Sequence, residues 1–69
     1  MTIKKIWFDS DYIYGEDENG RTLKQSLIWY PRLKEASDEE RRNFRIGYDG
    51  LHWRALDEDI SFESFEYDD

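Results

Sequence analysis

His52 is the only histidine of the chain, and Asp57, Glu58 and Asp59 follow it closely. A histidine near a carboxylate is the usual start of acid–base or nucleophilic chemistry, because the carboxylate orients the imidazole. No serine or glycine-rich oxyanion feature accompanies His52 and Asp57, so that start goes nowhere. A lone histidine excludes a His–His metal pair within one chain, and the lack of cysteine removes any thiolate zinc site. Calcium loops space their ligands at alternate positions around a glycine, and magnesium sites usually add substrate phosphates. Three contiguous carboxylates in an extended segment instead point to opposite faces. Asp9 and Asp11 flank Ser10 and read as acceptors for turn N–H groups. Ser26, Ser37, Ser61 and Ser64 have turn, cap or surface roles, and Gly15, Gly20, Gly47 and Gly50 are too scattered for a phosphate-binding loop. Arg41, Arg42 and Arg45 form the one basic cluster; preceded by Asp38, Glu39 and Glu40, it reads as a solvated helix with internal ion pairs. The expectation is a non-enzymatic protein with no catalytic, cofactor-binding or metal-binding residue. His52 reads as a structural residue packed beside Trp53.

The charge balance points outward instead. Ten Lys and Arg stand against seventeen Asp and Glu, a net charge of −7. A field of that sign repels phosphate, so direct nucleic-acid binding is not expected. Beyond Arg54 there is no basic residue, whereas Asp57, Glu58, Asp59, Glu63, Glu66, Asp68 and Asp69 are all acidic. Such a one-sign end suits a basic partner; its plainer use is to keep a small protein soluble. Trp53, Phe62, Phe65 and Tyr67 lie among Glu58, Asp59, Glu63 and Glu66. Aromatic anchors ringed by charge are the composition of interface centres, so these residues form the expected partner-binding set.

The elements that must position them fit one domain spanning 1–69. A chain of 69 residues has little interior, and without disulfides its three Trp, five Tyr and four Phe must supply the core. A homodimer interface would hide the same rings. Ile3 to Phe8, Tyr12 to Asp17 and Arg21 to Leu27 read as a three-stranded antiparallel meander, with Asn19-Gly20 as a type I′ hairpin turn. That register sets Glu18 opposite Arg21 and divides Ile13, Gly15 and Thr22 from Tyr12, Tyr14 and Leu23. Pro31 opens a short helix running to Ala36, with Leu33 and Ala36 inward. Ser37 and Glu40 form a capping box for a second helix from Asp38 to Asn43 or Phe44. Phe44–Tyr48 and Leu51–Ala55 alternate as strands that extend the sheet, with Gly50 in the turn between them. Trp53, Leu56 and Ile60 read as core, and Asp59 or Ser61 as the cap of a last short helix. Asp57 reads as structural, its carboxylate accepting backbone N–H bonds of the next turn. The fold class is therefore α+β: a small antiparallel sheet with a helical segment around residues 31–44. No signal peptide or membrane-length apolar run appears, which with the absent cysteines points to the cytoplasm.

Laid out this way, the chain resembles the prokaryotic family of domain of unknown function 2442. The resemblance rests on Ile6-Trp7-Phe8-Asp9 with Asn19-Gly20, on Tyr30-Pro31-Arg32-Leu33-Lys34-Glu35-Ala36-Ser37, and on Gly50-Leu51-His52-Trp53 with Leu56-Asp57-Glu58-Asp59-Ile60-Ser61. It implies a compact bacterial α+β domain. Some longer relatives carry a following helix-turn-helix; this chain ends at Asp69 without one, so DNA reading is not carried over. Gly15 falls where relatives more often have a bulkier strand residue. Family members often sit beside a small partner protein, in the manner of toxin–antitoxin pairs. The expected function is a partner-binding module, antitoxin-like, that masks a small basic protein. The alternative is an acidic inhibitor that imitates nucleic acid and blocks a DNA- or RNA-handling enzyme; basic residues scattered through the first 54 positions interrupt the unbroken acidic face such a mimic needs.

Overall fold

The computed structural model describes residues 2–68. Strands β1 (Ile3–Phe8), β2 (Tyr12–Asp17) and β3 (Thr22–Ser26) form the antiparallel meander, and β7 (Glu66–Tyr67) returns to pair with β3. The expected later strands do not extend this sheet. Strands β4 (Arg45–Ile46), β5 (Gly50–Trp53) and β6 (Glu58–Ser61) make a second antiparallel sheet in the order β4-β5-β6. Helices α1 (Pro31–Glu35) and α2 (Asp38–Arg42) connect the two sheets in sequence.

Local chemistry sets each corner. Between β1 and β2, Asp9 Oδ1 accepts from the N–H groups of Asp11 at 2.8 Å and Tyr12 at 2.7 Å. Between β2 and β3 the expected type I′ turn is replaced by a longer one. Asp17 and Arg21, not Glu18 and Arg21, close it: the Asp17 N–H donates to the Arg21 carbonyl, and the Arg21 N–H to Asp17 Oδ1, both at 2.9 Å. Only Gly20 in this loop has positive φ (80°), which is how a three-residue hairpin loop ends in a glycine bulge. The extra residue shifts the register by one. Gly15 now opposes Leu23, so Leu23 shares the buried face with Ile13 and Gly15, while Thr22 joins Tyr12 and Tyr14 on the other. Gly15 leaves room that Ile3 and Ile6 use: a Cβ there would stand 3.3 Å from Ile3 Cγ2.

Pro31 sits in the first turn of α1, where its missing N–H costs nothing. The Ser37–Glu40 capping box starts α2: Ser37 Oγ accepts from the Glu40 N–H, and Glu40 accepts from the Ser37 N–H at 2.9 Å. Leu33 is fully buried, whereas Ala36 is half-buried. Arg41 corrects the picture of a solvated helix. It is half-buried, and its guanidinium donates to the carbonyls of Leu33 (Nε, 2.9 Å) and Lys34 (Nη2, 2.8 Å) at the end of α1.

One hydrophobic cluster takes Ile13 and Leu23 from the first sheet, Leu33 from α1, and Leu51, Trp53 and Ile60 from the second. Trp53 is the anchor: it is 1% exposed, Phe8 and Phe44 pack on its ring at 6.4 and 5.8 Å, and its Nε1–H donates to the Arg41 carbonyl. Leu56 is only half-buried. Ser61 caps a single 3-10 turn (Phe62–Ser64), while Asp59 lies inside β6 rather than at a helix start. None of the described helices is long and apolar enough to cross a membrane.

Candidate functional site

The residues expected to meet a partner separate into two groups. Trp53, Phe62 and Phe65 are core residues, the last two only 7% exposed, so they are not surface anchors. Their aromatic character serves packing, because a chain this small has few other large side chains to bury. Asp59, Glu63 and Glu66 are exposed and Glu58 is half-buried. Tyr67 keeps one side in solvent; Arg21 lies over its ring at 3.7 Å, and its hydroxyl reaches Asp17 Oδ2 at 3.3 Å.

Contrary to expectation, the Asp57 carboxylate does not hold the next turn. The residue's φ of 52° places it in the left-handed region, and its carbonyl accepts from Arg32 Nη1 at 2.9 Å. The carboxylate projects into solvent and meets the same guanidinium at 3.4 Å, holding no turn N–H. Gly50 is buried against β6, where a Cβ would overlap the Ile60 carbonyl.

The outer face of the second sheet carries a row across its three strands. Arg45 opposes His52, and His52 opposes Asp59. His52 Nδ1 lies 2.7 Å from Asp59 Oδ1, and Nε2 lies 3.6 Å from Asp49 Oδ1. Its ring covers Gly47, where a Cβ would come within 2.7 Å of Nε2. Both ring nitrogens thus face carboxylates, and these contacts link β5 to β6 and to the turn before β5. A groove of about 730 Å³ beside this row is lined by Arg45 and Arg54 as well as Asp57, Glu58 and Asp59, so its charge is mixed. A second groove, of about 690 Å³, is lined by Thr2, Tyr48, Asp49, Ser61, Phe62 and Glu63. Its charged side chains, Asp49 and Glu63, are both acidic.

Sequence reasoning missed the exposed apolar residues. Ile28 and Trp29 are 66% and 73% exposed on the 3-10 turn after β3; Ile46 is half in solvent, and Tyr48 is wholly so. Trp29 and Tyr48 belong to the aromatic set expected to supply the core. Asp17 was missed from the other side: it is a buried carboxylate whose three acceptor contacts no motif announces. Those contacts, the Arg21 N–H foremost, hold its carboxyl below the usual aspartate range. Asp9 is lowered likewise, chiefly by the Tyr14 hydroxyl, and Tyr14 is in turn pushed up to about 12 by that carboxylate.

Among the described residues, no group of three or more histidines and carboxylates is placed to hold a metal ion. No curated protein and no solved structure matches the chain. A family model does, from residue 3 to residue 68, and so takes in the meander, the capping box, the β5–β6 hairpin and the returning β7 together. The chain therefore belongs to the family described as protein of unknown function (DUF2442).

Proposed function

We propose that this protein is a non-enzymatic interaction module whose partner is a small basic protein, masked in the manner of an antitoxin. One observation carries the reading. Among the described residues, Glu58, Glu63 and Glu66 have no cation within the chain, although Asp11, Asp57 and Asp68 have found Lys34, Arg32 and Lys24. Of these, Glu63 lies uncompensated in a groove that it shares with Asp49 and the fully exposed Tyr48. Complementary charge of this kind raises association rates and selects partners. Arg45 and Arg54 are exposed and share a groove with Asp57, Glu58 and Asp59, so they break the acidic surface, which favours a protein partner over mimicry of nucleic acid.

Co-purification from the source cell tests this. A small basic protein retained at low salt and released as salt rises is the expected result. Retention of a DNA- or RNA-handling enzyme that DNA competes away would favour the mimic, and recovery of no partner at low salt would end the proposal.

A further inference from the structure

Tyr48 is the aromatic residue whose position has least internal explanation. It is fully exposed, and it touches neither a ring nor a cation among the described residues. Three other aromatic rings are covered by cations of the chain: Arg21 lies over Tyr67, Lys24 over Tyr12 and Arg41 over Phe8. Tyr48 borders the groove of about 690 Å³ that also contains Asp49 and Glu63. The Asp49 side chain is 81% exposed and lies 3.6 Å from His52, a loose contact that leaves its outer oxygen available. Glu63 has no ion-pair partner among the described residues. The His52–Asp59 contact and the Gly47 N–H bond to the Gly50 carbonyl (2.8 Å) hold the loop that presents Tyr48 and Asp49.

We infer that this groove receives an arginine side chain of the basic protein partner, and the inference rests on that reading of the function. The guanidinium would stack on the Tyr48 ring while its N–H groups meet the Asp49 and Glu63 carboxylates. Arginine fits better than lysine because a planar guanidinium stacks on an aromatic face and offers several donors in a fixed fork. The groove supplies both: one open ring and two carboxylates without a competing lysine or arginine.

The probe is a capped Gly-Arg-Gly-Arg-Gly peptide, titrated at low ionic strength into the labelled protein and followed by amide chemical shifts. Lysine and glutamate versions of the peptide run as parallel arms. Shifts should concentrate on residues 48, 49 and 61–63 and be weaker with lysine. Tyr48→Ala should weaken binding about two- to fivefold, the range expected of an exposed cation–π contact. Glu63→Gln should weaken it too, while Tyr48→Phe and Glu39→Gln should bind as wild type does. Unchanged thermal melts confirm that these surface variants fold. Shifts spread evenly over all carboxylates, or equal binding by Tyr48→Ala, would overturn the inference. A co-purified basic partner that binds Tyr48→Ala as tightly as wild type would also overturn it, yet leave the proposed function standing. Failure to recover any partner, with the peptide still seated at Tyr48, would overturn the functional reading and the partner with it, and leave only the groove's preference for arginine.

Discussion

A single backbone angle decides what Asp57 tolerates. Left-handed φ costs most L-residues about 1–2 kcal/mol, whereas asparagine adopts it readily and glycine without penalty. Asp57→Asn should therefore melt close to wild type, losing only an exposed pair with Arg32, and Asp57→Val should lose about 1–2 kcal/mol in denaturant unfolding. Asp9, Asp17 and Tyr14 make the fold sensitive to pH at both extremes. The two aspartates have lowered pKa values, so their contribution is complete above the ordinary aspartate value of about 4 and disappears as pH falls through the depressed ones. Asp17→Asn should be less stable at neutral pH but show a flatter acid limb in unfolding. Tyr14 has a raised pKa, so its contribution is complete below about 10 and lost as pH rises through about 12. Tyr14→Phe should remove that alkaline loss, as melts across the same range would show.

The fold's elements are short, and their ends hold them. Arg41 closes the C-terminal end of α1 through two carbonyls; Arg41→Lys keeps the charge but loses the fork. A loss of roughly 1.5–3 kcal/mol is expected, against little change for the exposed Arg42→Lys. Gly50→Ala should separate β5 from β6, because the new methyl group meets the Ile60 carbonyl; loss of slow-exchanging amides in that hairpin would report it. How far each element was legible depended on how local its cause is. The Ser37–Glu40 box and Pro31 could be read because all partners lie within one helical turn. The hairpin at Asn19-Gly20 could be seen but not registered, since the deciding group is the side chain of Asp17, two residues outside the motif. Strands β6 and β7 were read as an acidic end: Glu58, Asp59 and Glu66 have low strand propensity, and pairing with β5 and β3 overrides it. Arg41 was misjudged because its partners are backbone carbonyls, which leave no trace in residue types. Of the surface, the acidic residues were legible from charge alone. Tyr48, Ile28 and Trp29 were not, because an apolar side chain carries no mark of which side it faces.

At the scale of the whole molecule, one ring joins the two sheets through α2. Trp53→Ala should cost about 3–5 kcal/mol, comparable to the whole stability of a small domain, so the variant should be largely unfolded in thermal or denaturant melts. The carboxylates outside the core obey a different rule. Glu63→Gln with Glu66→Gln should leave the melt nearly unchanged while slowing association with a basic partner and flattening its salt dependence. The three tryptophans that divide between these regions also divide the protein's optical signal. Trp53 is sealed from water, Trp7 is 39% exposed, and Trp29 is 73% exposed. Emission should therefore be heterogeneous, with a blue component from Trp53 and a red one from Trp29 that acrylamide quenches first. Unfolding should shift the Trp53 component most and the Trp29 component least, so the emission spectrum reports opening of the core, while acrylamide quenching of the red component reports whether Trp29 stays open to solvent.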